Sequence, residues 1–335
     1  MGHEPALVKA LVTGGGGFLG LAIVRILRAR GDDVRSFSRS AYPALEQLGV
    51  ESVRGDISDQ GAVREASKGR DIVFHVAAKA GVWGSAESYH CANVVGTDNV
   101  LEACSAEGIG RLVYTSTPSV TFSGTDQVGV DESAPYAEHY LSDYARTKSI
   151  AERRVLESNS PDLATVALRP HLIWGPGDPH LVPRILDRAR SGKLRLIGNR
   201  PNEVDSVYVD NAADAHVLAA DRLAPGSDVA GKAYFISQGE PLPLAELLNR
   251  ILAAGGLPPV TRRIPEGTAH FLGALLETVY GLLGVENEPP LTRFVARQLS
   301  TAHWFDISAA RRDLGYEPAV SLDEGMERLA ASLGA

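Results

Sequence analysis

Tyr144 and Lys148 stand four residues apart in Tyr144-Ala145-Arg146-Thr147-Lys148. On a helix that spacing puts both side chains on one face. A free phenol titrates near pH 10, too high for efficient proton exchange at neutral pH. A neighbouring ammonium favours the phenolate and lowers that value, which makes the pair suited to moving a proton at a substrate oxygen. Upstream, a short apolar run ends in Thr115-Ser116-Thr117. There Thr117 is the candidate hydroxyl for holding a carbonyl oxygen, with Ser116 in reserve. A simple strand-end turn is the competing reading for both.

A second constellation lies near the start, where Thr13-Gly14-Gly15-Gly16-Gly17-Phe18-Leu19-Gly20 carries Gly14, Gly17 and Gly20 at GxxGxxG spacing. Glycine permits the tight turn, and a helix opening at Phe18 and Leu19 presents free N–H groups to a pyrophosphate. The last glycine allows the helix to pack closely on the preceding strand. The next strand ends in Phe37-Ser38-Arg39-Ser40. An acidic residue there would hold an adenosine ribose, but Asp32 and Asp33 sit at the strand's other end. Ser38 and Arg39 instead suit a 2′-phosphate, so NADPH/NADP+ is the expected cofactor, with NADH as the alternative. Asp56, before Ile57, either reaches the adenine amino group or caps the next helix.

The elements that must position these residues alternate strictly. Strands are predicted over Ala6–Thr13, Asp33–Ser38, Val50–Gly55, Asp71–Ala77, Arg111–Ser116 and Thr165–Trp174. Helices lie between them near 19–30, 60–67, 88–106 and 140–158. This pattern implies an α/β fold, a Rossmann-type doubly wound parallel sheet with helices on both faces. After Gly175 the regularity fails. Pro176, Pro179 and Pro183 open a helix-rich stretch with short strands near 194–197, 204–209 and 233–237. We read 1–175 as the NADP-binding domain and 176–335 as a smaller C-terminal substrate lobe partly interwoven with the sheet.

Composition narrows the class. The chain has 335 residues, 44% hydrophobic and 22% charged, with a net charge of −8. That is globular material, and an acidic chain is a poor partner for nucleic acid. Glycine is abundant at 34 residues and aromatics scarce at 6%, which suits an aliphatic pocket better than a stacking platform. Cys91 and Cys104 fall in one predicted helix and form no disulfide framework. The nine histidines lack close ligand spacing, so no metal is expected. His75 and His90 read as core histidines. Residues 1–10 lack an apolar signal core, and a cytoplasmic homodimer is expected.

Together these residues resemble the extended short-chain dehydrogenase/reductases, over nearly the whole chain. Matching features are Gly14, Gly17, Gly20, Asp56-Ile57, Ala77-Ala78, Asn93, Thr117, Tyr144, Lys148 and Arg169-Pro170. The resemblance implies that Ala77, Ala78, Lys79 and the loop after Pro170 line a nicotinamide pocket. Tyr114–Val120, Trp174–Asp178, Gly231–Ile236 and Arg311–Tyr316 resemble the 3β-hydroxysteroid and sterol-4α-carboxylate dehydrogenase branch. Ala77–Ser85 and Leu168–Trp174 are similar to the bacterial 2-alkyl-3-oxoalkanoate reductases. Those enzymes reduce a β-keto acid with NADPH in long-chain olefin biosynthesis, between a thiolase and a β-lactone synthetase.

The sterol dehydrogenases, acting in the oxidative direction, are the alternative. A nucleotide-sugar epimerase fits less well. Pro118-Ser119 stands where sugar dehydratases carry an acidic pair, and Val204 stands where a pyrophosphate-binding arginine would be sought, with Arg200 as its substitute. A non-catalytic NADP sensor would have no use for the Tyr-Lys pair. Lys79 and His171 are candidate cations for a substrate carboxylate. Phe271, Leu272, Leu275, Leu276, Val279, Leu282 and Leu283 give a helix near 266–284 a broad apolar face. That face serves either sheet packing, a wall for a long alkyl substrate, or contact with a membrane surface or pathway enzyme.

Overall fold

The computed structural model describes residues 7–285 and 287–334. Ala6, the predicted start of the first strand, lies outside them. Seven parallel strands form the central sheet: β1 Lys9–Thr13, β2 Asp33–Ser38, β3 Glu51–Arg54, β4 Ile72–His75, β5 Arg111–Thr115, β7 Ala164–Pro170 and β12 Lys232–Ile236. Their order is β12-β7-β5-β4-β1-β2-β3. The chain therefore reverses direction of travel between β1 and β4, and a crevice opens there at the strands' C-terminal ends. The C-terminal stretch supplies the edge strand β12, so it is woven into the sheet.

Helices α1 Phe18–Ala29, α2 Pro43–Gln47, α3 Gln60–Ser67, α4 Ala86–Tyr89, α5 Gly96–Glu107 and α6 Asp143–Glu157 connect the first strands. Alternation along the strands feeds two cores. Ala10 and Val12 of β1 join Ile23 and Leu27 of α1 on one face, while Leu11 joins Val63, Val100 and Val155 on the other. Among the described residues the remaining α-helices are α7 Leu181–Arg190, α8 Val209–Arg222, α9 Leu244–Ala254, α10 Glu266–Leu282, α11 Arg293–Ser300 and α12 Leu322–Leu333.

The short strands at 196–197 and 207–208 fall in segments predicted as strand, whereas Gln127–Val130, Leu242–Pro243, Arg263–Ile264 and His303–Phe305 escape the sequence reading. β6 Gln127–Val130 and β15 His303–Phe305 pair in a second sheet with β10 Glu203–Val204 and β13 Leu242–Pro243. β8 Ile173–Trp174 pairs with β11 Val207–Tyr208, and β9 Leu196–Ile197 with β14 Arg263–Ile264. The strand predicted over Thr165–Trp174 is in fact two. It breaks at His171 and Leu172, where Leu172 takes φ +42°, a strained value for a bulky side chain. A π-turn over His90–Val95 joins α4 to α5. It places His90 at the surface, so His90 is not a core histidine. Among the described residues no helix is long and apolar enough to cross a membrane.

Candidate active site

The glycine loop is built against the end of β4. The Thr13 hydroxyl lies 2.8 Å from Nδ1 of His75 and accepts the amides of Val76 and Ala77 at 3.2 Å each, tying the two strand ends across the crevice. Gly14 turns at φ +71°, and a Cβ there would meet the Ala77 backbone at 3.0 Å. A Cβ on Gly20 would fall 2.2 Å from the Gly14 carbonyl. Gly17 caps α1 without a side-chain oxygen, so the first-turn amides receive no side-chain cap. Phe18 and Leu19 contribute backbone there, since the Leu19 side chain is in the core. A helix N-terminus built this way can hold an anion.

On β2, the Ser36 and Ser38 hydroxyls are buried without a hydrogen-bond partner among the described residues. Such orphaned groups are costly unless something else pairs with them. Arg39 is exposed and forms no close ion pair among the described residues, though its charge reaches Asp56. Asp56 accepts the Ser58 amide at 2.9 Å and its hydroxyl at 2.7 Å. These bonds, with the charge of Arg39, hold its carboxyl below the usual range against a small opposing effect of burial. The cap of α3 is Asp59, which accepts from Ala62, so Asp56 is not the helix cap. Ile57 is buried against Gly96 and accepts from the Asn99 amide at 3.0 Å. The glycine cradle and the orphaned serines fit a dinucleotide.

The proton-transfer pair rides on α6, whose N-cap Ser142 accepts from Ala145 at 3.2 Å. Lys148 is 2% exposed, lies over the Tyr114 ring at 4.2 Å and donates to the Thr115 carbonyl at 2.6 Å. Burial pulls its pKa down to about 7, with Glu152 opposing. Burial raises the Tyr144 phenol, and the Thr117 hydroxyl works against that shift. The Thr117 hydroxyl also donates to Ser119 Oγ and accepts the Ser119 amide, each at 3.3 Å. The Ser116 hydroxyl is buried without a partner, and its amide donates to Leu168 at 2.6 Å. Burial, then Lys148, drives His75 down to about 3, so it stays neutral between Thr13 and Thr97.

Asn93 lies behind this pair. Its side chain accepts the Lys79 amide at 2.7 Å and donates to the Lys79 carbonyl at 3.1 Å and to Thr147 Oγ1 at 3.0 Å. These bonds fix the loop after β4 to the turn between Tyr144 and Lys148. In this structure the Asn93 side chain is bonded to protein groups. Ala77 is half-buried beneath Gly14 and Ala78 is exposed in the same loop. Pro170 ends β7 in the core, paired with Ile236. The sequence reading missed Glu152. It is fully buried, paired with Arg169 at 2.6 Å, and accepts from the Tyr136 hydroxyl at 2.7 Å. Its signal was the continued spacing of four, Tyr144, Lys148, Glu152.

Of the two candidate carboxylate-binding cations, His171 is committed elsewhere. Its Nδ1 meets Asp205 at 2.5 Å and its ring packs edge-on against His303 and Phe305. Buried there, it is latched to Asp205 through Nδ1. Lys79 donates to Ser88 Oγ at 2.6 Å and lies 4.8 Å over the Tyr89 ring. Arg200 points outward near Asp126, 71% exposed, and Val204 is in the core. Trp83 donates to the Val285 carbonyl at 3.0 Å and meets the Tyr280 ring edge-on, joining the loop after β4 to the end of α10. No group of three His, Cys, Asp or Glu able to hold a metal occurs among the described residues.

Comparison with known proteins fits this geometry. The 3-beta hydroxysteroid dehydrogenase/isomerase family matches residues 11–264, which span the glycine loop, Thr117 and the Tyr-Lys pair. The chain belongs to this family. It is an oxidoreductase of the extended short-chain dehydrogenase/reductase type. A 2-alkyl-3-oxoalkanoate reductase of Stenotrophomonas maltophilia is 58% identical over 98% of this chain and 100% of its own. One from Shewanella oneidensis is 56% identical over 97% of this chain and 86% of its own. The mouse sterol-4-alpha-carboxylate 3-dehydrogenase, decarboxylating, is 35% identical over 97% and 90%. Among solved structures, a double mutant of the dTDP-glucose 4,6-dehydratase DesIV from Streptomyces venezuelae, with NAD and DAU bound, superposes with a TM-score of 0.76. It is 25% identical and covers 97% of this chain and 96% of that one.

Proposed function

We propose that this oxidoreductase reduces a 2-alkyl-3-oxoalkanoate to the 2-alkyl-3-hydroxyalkanoate with NADPH, in long-chain olefin biosynthesis. The observation that carries this reading is 58% and 56% identity, over nearly the full chain, to two reductases named for that substrate. The sterol relatives stand at 35%, which favours the keto acid over the sterol alternative.

Bound at the crevice, the nicotinamide supplies a hydride for the ketone carbon. The residues do the rest. Thr117 donates a hydrogen bond to the ketone oxygen, and Tyr144 delivers its phenolic proton to that oxygen as charge develops there. The phenolate left behind is stabilised by Lys148 once that amine carries its proton. Lys148 is oriented by the Thr115 carbonyl and by the charge of Glu152. Arg39 and Ser38 support the preference for NADPH, because a cation and an unpaired hydroxyl together match a 2′-phosphate.

The reading extends to a cytoplasmic homodimer that meets its apolar substrate at a lipid or enzyme surface. The support is α10. Phe271, Leu272, Leu275, Val279, Leu282 and Leu283 on this helix and its cap are exposed along one stripe, while Ala269 and Gly273 face inward. The stripe thus points outward and does not pack on the sheet. The experiment is a substrate panel on the purified protein. NADPH consumption with a long-chain 2-alkyl-3-oxo acid is expected, with little NAD+ reduction by a 3β-hydroxysterol. The reverse pattern would transfer the chain to the sterol branch.

A further inference from the structure

Gly16 is a glycine without a conformational reason. Its φ lies outside the left-handed region, so the backbone would accept any L residue. Space is the constraint. A Cβ at position 16 would fall 2.0, 2.3 and 2.5 Å from Cδ2, Cγ and Cε2 of Tyr42, and these are its nearest atoms. The Tyr42 ring therefore rests against the bare Cα of the phosphate loop. The tyrosine and the glycine explain each other.

Tyr42 caps α2, and only Arg39, Ser40 and Ala41 separate it from the end of β2 at Ser38. All three are exposed. One end of this short loop is held by the Gly55 amide on the Ser38 carbonyl at 3.1 Å, and the other by the Tyr42 ring on Gly16. Arg39 rides between the two anchors without a close ion pair among the described residues, near enough to Asp56 for its charge to act there, and beside the orphaned Ser38 hydroxyl.

We propose that Tyr42 is a positioning residue for cofactor choice, a clip that fastens the Arg39 loop to the phosphate loop and holds Arg39 and Ser38 ready for a 2′-phosphate. This rests on the NADPH reading above. A loop fixed at both ends gives up little further freedom when Arg39 engages an anion, whereas a loop released at Tyr42 must be ordered on binding.

The test is fluorescence titration of NADPH and NADH into the full-length protein as wild type, Tyr42→Ala, Tyr42→Phe, Gly16→Ala and the double variant Gly16→Ala/Tyr42→Ala. Thermal melts confirm that each variant is folded. Tyr42→Ala is expected to weaken NADPH about tenfold and NADH less than about twofold, and adding it to Gly16→Ala should cost NADPH nothing further, because both changes break one contact. Tyr42→Phe keeps the ring and should keep the affinity. Additive losses in the double variant, or equal weakening of both cofactors, would overturn the clip. A wild-type preference for NADPH that survives Tyr42→Ala would overturn the clip alone. A wild type without preference, and indifferent to Arg39→Asp, would overturn the NADPH reading and the clip with it.

Discussion

The phosphate loop and helix α10 put their residues to opposite use. In the loop, the tight positions have inward partners: Gly14 meets Ala77, Gly15 covers Ser36 and Gly20 meets the Gly14 carbonyl. On α10, the large apolar side chains turn outward, with Phe271 66% and Leu282 82% exposed. The first region is specified by the fold that surrounds it. The second keeps just a small inward face, where Gly273 lets the helix sit against the Thr292–Arg293 backbone. Residue type thus reports on internal packing in one region and on what the molecule meets in the other. Substitutions in the two regions should divide accordingly between chemistry, stability and neither.

The largest effect belongs to the site. Tyr144→Phe removes the proton donor and should lower kcat about 10³-fold while cofactor affinity holds, as read by steady-state rates beside a fluorescence titration. Near-normal turnover would remove Tyr144 from the mechanism.

Much of this site could be read from neighbours in sequence. The GxxGxxG loop, the pair Tyr144 and Lys148 and the hydroxyl of Thr117 announce themselves within a few residues, after β1, on α6 and after β5. What stayed hidden depends on partners far apart in the chain. Glu152 meets Arg169 across 17 residues, and His171 meets Asp205 across 34. Composition says nothing about either pairing, so His171 reads as a free cation until Asp205 is beside it. The same holds for Gly16, whose reason is Tyr42. The short strands Gln127–Val130 and His303–Phe305 carry too few residues to show a period.

Next in size is the buried pair beneath the site. Glu152→Gln leaves the Arg169 guanidinium uncompensated in the core and should cost about 3–5 kcal/mol in urea unfolding. An unchanged midpoint would show that Tyr136 and solvent suffice to satisfy Arg169.

Lys148→Met separates the two roles of one residue. Turnover should collapse while stability rises, because a buried ammonium is replaced by a side chain at home in the core. The sign with pH follows from a folded pKa lowered to about 7. Between that value and the ordinary lysine range the unfolded chain binds the extra proton, so the wild type gains stability as pH rises. The advantage of the variant should therefore be greatest below about pH 7 and fade towards pH 10. An advantage that grows with pH would contradict the burial argument.

The smallest effect is expected on α10. Leu275→Ser and Leu282→Ser should move the unfolding free energy by no more than about 0.5 kcal/mol, whereas Leu27→Ala in the core should cost about 2–5 kcal/mol. A large loss from either α10 variant would mean that the stripe supports the fold after all, and the contrast between the two regions would fall.

The central claim is a hydride delivered to the ketone carbon with Tyr144 supplying the proton. It is tested most directly by mass spectrometry of the product formed from a long-chain 2-alkyl-3-oxo acid and NADPH deuterated at nicotinamide C4. The account predicts a 2-alkyl-3-hydroxy acid carrying the deuterium on C3 from the wild type, and almost none from Tyr144→Phe. Unlabelled product, or equal labelled product from the two proteins, would contradict it.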